Sequence, residues 1–132
     1  MKIKILVTAF WMAGIFSSCS DDKGQEKTLM TDIMNKHDTV MGKSDLIIKY
    51  RTSLDSVTKT SKDTTEVHAL KSQLNMADEA METWMHKFNP DFTGKSHAEV
   101  ITYLQSQKKQ IGRVDSLINL SLDKTDKYLK KK

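Results

Sequence analysis

Apolar residues recur at a helical spacing along most of the chain, and the middle of the chain has the most regular pattern. Its apolar positions alternate between spacings of three and four residues: Val67, Leu70, Leu74, Ala77, Met81, Trp84 and Phe88. This heptad pattern predicts a helix that packs at a shallow angle against its neighbours. Asn89 and Pro90 end the helix, because the residue before a proline is pushed out of the α region.

A first helix is predicted from about Leu29 to about Val57. At ~100° per residue, one face of it is apolar. The residues on that face are Met30, Ile33, Met34, His37, Val40, Met41, Ile47 and Ile48. The polar stretch from Thr58 to Asp63 is expected to connect it to the middle helix.

A third helix begins at Ser96, which is followed three residues later by Glu99. This spacing is typical of a capping box, in which each side chain satisfies a free amide at the helix start. The apolar positions of this helix are Val100, Leu104, Ile111, Val114, Ile118 and Leu122. The helix is expected to end near Tyr128.

These elements predict an all-α fold, because the chain contains no β-branched run of period two. Short connections favour antiparallel neighbours. We therefore expect an up-down-up antiparallel three-helix bundle over residues 28–129, followed by a basic tail at 130–132.

The first 18 residues differ from the rest of the chain. Lys2 and Lys4 precede an apolar run from Ile5 to Phe16 that is too short to span a bilayer and has the length of a signal-peptide core. Small residues then lead directly to Cys19. This arrangement resembles a lipobox, the processing signal of bacterial lipoproteins. The resemblance implies cleavage before Cys19, a diacylglycerol thioether on Cys19 and an acyl group such as palmitate on its amine; the alternative is an ordinary signal peptide followed by a chance cysteine.

The residues after Cys19 are Ser20, Asp21 and Asp22. They resemble the acidic export signal of surface lipoproteins in Bacteroidota-type bacteria. The resemblance implies a lipid-anchored protein of the outer membrane that is exposed at the cell surface or faces the periplasm. Residues 19–27 would then be the lipidated cysteine and a polar tether; the alternative is that this segment is a tether alone.

The charge balance gives little support to nucleic-acid binding. Loss of Lys2 and Lys4 leaves 21 − 2 = 19 basic residues against 17 acidic ones, a net charge of +2. A nucleic-acid-binding domain requires a basic stripe on one face, whereas here the charges are mixed. The exception is the tail Lys130–Lys132, which is either a solvated chain end or a contact for anionic lipid or polyanionic surface sugars.

Methionine is the unusual residue of this sequence, with eight in the chain. If Leu54 lies beside Val67, antiparallel packing places His37 near Trp84. Several soft donors then meet at one level of the bundle: Met34, His37, Met41, Met81 and Met85. Thioethers and imidazole suit Cu(I), and a His–Met pair between helices suits haem. The alternative is ordinary core packing, since methionine fills irregular gaps beside aromatic rings.

Three stretches of the chain together resemble a known family. They are residues 37–41, residues 77–88 and residues 103–122. They are similar to small helical lipoproteins of Bacteroidota-type bacteria that are often labelled "viral A-type inclusion protein". The resemblance implies a membrane-tethered helical bundle and provides no functional residues. Where that family has a proline after its first motif, this chain has Gly42 and Lys43.

No catalytic motif accompanies these features: the chain lacks a phosphate-binding glycine loop, a zinc-protease helix and a haem-attachment motif. We therefore expect no enzyme and no resident cofactor. The leading hypothesis is a lipid-anchored interaction or structural module that binds an envelope protein or a surface polymer. The alternatives are an envelope protein that binds Cu(I) or haem, and a carrier or chaperone for apolar cargo.

Overall fold

The computed structural model describes residues 19–60 and 64–131, so the predicted signal peptide at 1–18 and the terminal Lys132 lie outside the described residues. Within those ranges the chain forms four α-helices and no strand. They are α1 (Cys19–Met41), α2 (Ser44–Thr60), α3 (Thr65–Lys87) and α4 (His97–Leu129). The all-helical prediction is confirmed.

The single first helix of the prediction is two helices, α1 and α2, with a turn at Gly42 and Lys43 between them. The amide of Lys43 donates to the carbonyl of Val40 at 3.0 Å, three residues back instead of four, so the backbone tightens there. The heptad continues across the turn, because its buried positions remain seven residues apart: Ile33, Val40, Ile47 and Leu54. α1 and α2 therefore present one continuous apolar stripe.

Two details of the predicted first helix differ from the structure. α1 spans Cys19–Met41, so the segment 19–27 that was expected to be a tether is helical. Ile48 is 59% exposed, although it was placed on the apolar face. The stripe at Ile47 and Leu54 takes the core-facing positions, and Ile48 lies about 100° away from Ile47 around the helix.

Side-chain contacts show that α4 follows α1 and α2 in the same sequence order. Near the start of α4, Lys108 Nζ lies 2.6 Å from Asp32 Oδ2. Further along the chain, Tyr50 Oη of α2 donates to Asp126 Oδ1 of α4 at 2.9 Å. Partner numbers therefore rise together, as they do between parallel helices.

The contacts of α3 run in the opposite order. Arg51 of α2 pairs with Asp78, whereas Asp55, one turn further along α2, pairs with the earlier residue Lys71. Against α4, the hydroxyl of Ser121 lies 3.3 Å from the carbonyl of Gln73. At the other end of α3, the amide of Asn89 donates to the hydroxyl of Tyr103 at 2.8 Å.

The core follows the heptad positions and lies between the helices. α4 packs closely on each of the other three helices, and α2 packs on α3. Two hydroxyl residues of α4, Ser121 and Thr125, are buried, and each donates to a carbonyl one turn back at 2.9 Å. Burying a hydroxyl costs little when it is hydrogen-bonded in this way, so the seam tolerates polar residues. The helices form a bundle with one continuous core.

The connection from α3 to α4 is ordered by local hydrogen bonds. The predicted capping box is present: the amide of Ser96 donates to Glu99 Oε2 at 2.8 Å, and the amide of Glu99 reaches Ser96 Oγ at 3.4 Å. Gly94 has a φ of 76°, which a residue with a Cβ adopts only at an energetic cost. This loop therefore returns the chain into α4 with a defined geometry.

Candidate functional site: a methionine-lined groove between α1 and α3

A groove separates α1 from α3 on one side of the bundle. The close helix pairings join α4 to the other three helices and α2 to α3, and the pair α1 and α3 is not among them. Side chains bridge the gap instead: the rings of His37 and Trp84 are 6.0 Å apart between centroids. Two adjoining pockets occupy the groove, and Met85 lines both of them.

The first pocket has a volume of about 220 Å³. It is lined by Met34 and His37 from α1 and by Trp84, Met85 and Phe88 from the end of α3. Two thioethers, one imidazole and two aromatic faces therefore surround one small space. We call this pocket the histidine pocket.

The second pocket has a volume of about 340 Å³ and lies beside the turn between α1 and α2. Met41, Met81 and Met85 line it, with Ile118 of α4 among the apolar residues. Acidic and imidazole side chains of α3 also border it, namely Asp78, Glu82 and His86. We call it the methionine pocket.

The structure places the five predicted metal ligands in these two pockets. Met34 and His37 line the histidine pocket, Met41 and Met81 line the methionine pocket, and Met85 contributes to both. The predicted approach of His37 to Trp84 is confirmed. Binding of copper or haem by these residues stays a prediction.

The methionines differ in exposure in a way that matters for ligand binding. Met34, Met41 and Met85 are 38%, 38% and 39% exposed, whereas Met81 is only 4% exposed. Methionine side chains with this much exposure are uncommon, because methionine is among the residues most often buried in the core. Three of the five sulfur and nitrogen donors therefore belong to side chains that an incoming ligand reaches without unfolding the bundle.

His37 has a defined hydrogen bond. Its Nδ1 lies 3.0 Å from Oδ1 of Asp38, and its side chain is 22% exposed. When Nδ1 carries the proton and donates it to this carboxylate, Nε2 keeps a lone pair that is free to bind a ligand. The neighbouring Trp84 is buried, and its Nε1 finds no hydrogen-bond acceptor among the described residues.

An aromatic row extends from the histidine pocket toward the loop before α4. Trp84 stacks on Phe88 at 5.0 Å, Phe88 lies 6.2 Å from Tyr103, and Tyr103 meets the edge of Phe92 at 5.8 Å. Offset and edge-to-face arrangements of this kind stabilise aromatic clusters beyond their buried area. The wall of the pocket formed by Trp84 and Phe88 is therefore firmly packed.

The beginning of α1 is bound to the beginning of α4 by His97. Its Nδ1 lies 2.7 Å from Oε1 of Glu26, and its Nε2 lies 3.5 Å from Oδ1 of Asp22. The predicted export signal lies within the first turns of α1 and consists of Ser20, Asp21 and Asp22. The side chain of His97 is 31% exposed and lies between the carboxylates of Asp22 and Glu26.

The basic end of α4 lies at the opposite end of the bundle. α4 has 33 residues, which corresponds to a length of about 50 Å. Near its end, Lys124, Lys127 and Lys131 line an open cavity of about 550 Å³ together with Leu70 and Tyr128. The lysine-rich surface therefore lies far from Cys19.

Residues 19–60 and 64–131 contain neither a membrane-spanning helix nor a cluster of imidazole, thiol and carboxylate groups that could hold a metal ion. None of the helices in residues 19–60 and 64–131 is both long and apolar enough to cross a bilayer. Within the same ranges, histidine, cysteine, aspartate and glutamate side chains form no group of three or more that is suited to hold a metal ion. Methionine is not one of these four residue types, so a site with methionine ligands is a separate case.

Comparisons with protein-family models, with curated proteins and with solved structures give no match to this chain. The likeness to small helical lipoproteins therefore stays an expectation that depends on the residues themselves.

Proposed function

We propose that the protein is an outer-membrane lipoprotein, anchored through a lipid on Cys19, that acts as a non-enzymatic interaction or structural module. In this proposal the bundle has three helical segments that run up, down and up. The first segment is α1 together with α2, the second is α3 and the third is α4. The opposite contact orders of α3 and α4 support that arrangement. Anchoring by several acyl chains on Cys19 is strong enough for stable membrane attachment.

The observation that supports this proposal best is the position of Cys19. It lies in α1 three residues before Asp22, and Asp22 and Glu26 bind this part of α1 to His97 of α4. A lipid at this cysteine would therefore attach to an end of the bundle itself. The loop before α4 would lie close to the membrane, and the lysine-rich end would lie about 50 Å away.

This orientation gives the lysine-rich end of α4 a different role from membrane binding. Lys124, Lys127 and Lys131 line a cavity at the distal end, where Glu66 is the one acidic residue among the lining side chains. Lys127 is paired with Asp123 at 2.7 Å and is 69% exposed, so its charge stays accessible to solvent. In the proposal, this end contacts an acidic envelope protein or a polyanionic surface polymer, and the anchoring membrane is on the other side.

Photocrosslinking in living cells tests this proposal. A photoreactive residue at Lys131 is expected to capture one reproducible partner, and the same residue at Lys27, near the anchor, is the matched control. Reproducible adducts at Lys131 that exceed those at Lys27 would support the proposal. Absence of any reproducible adduct at Lys131 under several growth conditions would contradict it.

A second candidate function is a carrier or chaperone for apolar cargo, and the groove favours it. The methionine pocket has a volume of about 340 Å³, and two of its three methionines, Met41 and Met85, have exposed, flexible side chains. Methionine-rich surfaces adapt to apolar partners of different shape. Native mass spectrometry of the gently isolated protein is expected to detect bound lipid if this function is correct. Met41→Lys should remove that lipid, whereas Met76→Lys, at a residue 59% exposed on α3, should not.

A further inference from the structure

The histidine pocket has the donor set of a soft-metal site. We propose that Met34, His37 and Met85 bind one Cu(I) ion between α1 and α3. Cu(I) prefers thioether and imidazole ligands and is satisfied by a small number of them. This inference is independent of the lipid anchor and goes beyond the proposed interaction role.

The backbone places the three donors on two facing helix surfaces. Met34 and His37 are three residues apart on α1, so their side chains lie next to each other on one face. Met85 of α3 lines the same pocket from the opposite side. The pocket volume of about 220 Å³ accommodates a bare ion together with the movement of two flexible thioethers.

The hydrogen bond of His37 orients its ring for metal binding. A ligating histidine commonly donates its second ring N–H to a carboxylate, which fixes the tautomer and makes the free nitrogen more basic. The 3.0 Å contact between His37 Nδ1 and Asp38 Oδ1 provides that carboxylate. Nε2 is then the ligand atom, and it carries no proton that the metal would have to displace.

The aromatic wall gives the site a selective environment. Trp84 packs against the imidazole with ring centroids 6.0 Å apart, and Phe88 stacks behind it. An electron-rich ring face attracts a cation, and the bulky rings limit access of water to one side of the pocket. A soft monovalent ion fits such a surrounding better than Zn²⁺, which prefers four nitrogen, sulfur-anion or oxygen ligands.

The methionine pocket is less suitable for the metal. Met81 is 4% exposed and belongs to the core, so its sulfur would have to leave packed neighbours to bind an ion. The only imidazole there is His86, whose side chain is 77% exposed and lies 3.6 Å from Glu82. The structure therefore separates three of the five sequence-predicted donors from the other two, with Met85 at the boundary.

Anaerobic titration of the full chain with Cu(I) against bicinchoninate tests the site. The protein is kept in detergent, and every sample has Cys19→Ser so that no thiol competes for the metal. We expect one ion per chain. Met34→Leu, His37→Gln and Met85→Leu should each weaken the apparent affinity by at least about tenfold, as expected when part of a metal site is removed.

Matched variants separate the site from general effects. Met76→Leu removes an exposed thioether outside the pocket and should leave the affinity unchanged; circular dichroism checks that each variant keeps its helices. X-ray absorption of the bound copper should show sulfur and nitrogen neighbours, with fewer sulfurs in Met34→Leu. Failure to compete with the chelator would overturn the proposal. So would affinity that is unaffected by the three pocket variants, or affinity that depends on Met41 and Met81 instead.

Discussion

Lys43 Nζ lies 2.6 Å from Asp115 Oδ1, and this contact attaches the turn between α1 and α2 to the middle of α4. The same ammonium donates to Asn119 Oδ1 at 2.7 Å, and Lys36 Nζ reaches the other oxygen of Asp115 at 3.1 Å. The Asp115 side chain is only 16% exposed. The hydrogen bond from Lys43, followed by that from Lys36, lowers the pKa of Asp115 below its usual value against the opposing effect of burial.

Replacing Asp115 should therefore weaken the bundle at this turn. We expect Asp115→Asn to lower the free energy of unfolding by about 1.5 kcal/mol, because the carboxylate charge is lost and one of its two acceptor oxygens becomes an NH2 group that faces a lysine ammonium. Urea denaturation at pH 7 measures the change. The control is Asp123→Asn, which breaks an exposed pair with Lys127 and should have almost no effect. Equal effects of the two variants would show that the turn is not stabilised by Asp115.

The lowered pKa of Asp115 also predicts how stability depends on pH. The folded-state pKa lies below the unfolded one, so the stabilisation is complete above the unfolded value of about 3.9 and is lost as pH falls through the folded value. Melting temperatures between pH 7 and pH 2 should fall less steeply in Asp115→Asn than in the wild type. Parallel curves for the two proteins would contradict this assignment.

Two adjacent isoleucines test the continuous stripe of α1 and α2. Ile47 is 1% exposed and Ile48 is 59% exposed. Ile47→Ala should destabilise the protein by about 3 kcal/mol, because a buried side chain leaves a cavity. Ile48→Ala should change stability by less than about 0.5 kcal/mol. Chemical denaturation compares them directly, and a larger loss in Ile48→Ala would mean that the stripe is assigned to the wrong face.

Two glycines should respond to alanine with opposite signs. Gly94 has a φ of 76°, and Gly94→Ala is expected to cost about 1–2 kcal/mol because a Cβ is strained in that conformation. Gly112 lies inside α4 with open space around the position of a Cβ, so Gly112→Ala should add about 0.5–1 kcal/mol. Thermal unfolding of both variants checks the signs, and a stabilising Gly94→Ala would contradict the loop geometry.

The sequence predicted α3 and the start of α4 well because their signals are local. The seam from Val67 to Trp84 is buried at every predicted position, and the capping box of Ser96 and Glu99 is present. These features depend on spacing within one helix. The contact of His37 with Trp84 was also predictable, since aligning two antiparallel heptads through a short connection fixes which levels meet.

Other features depend on how helices approach each other, which periodicity does not encode. The heptad runs through Gly42 and Lys43 without a change of phase, so the pattern contains no signal for a break. The division of the methionines into two pockets follows from the wide spacing of α1 and α3. The contact of His97 with Glu26 was missed because the segment before Leu29 was expected to be a tether.

Anchoring of the bundle to the outer membrane through Cys19, as proposed above, is tested most directly by metabolic labelling. Cells that express the wild-type chain or Cys19→Ala should be fed a tagged palmitate and then separated into soluble, inner-membrane and outer-membrane fractions. We expect the wild type to be labelled and to sediment with the outer membrane, whereas Cys19→Ala should be unlabelled and should leave that fraction. A wild-type protein that takes up no label and stays soluble would contradict lipid anchoring through Cys19.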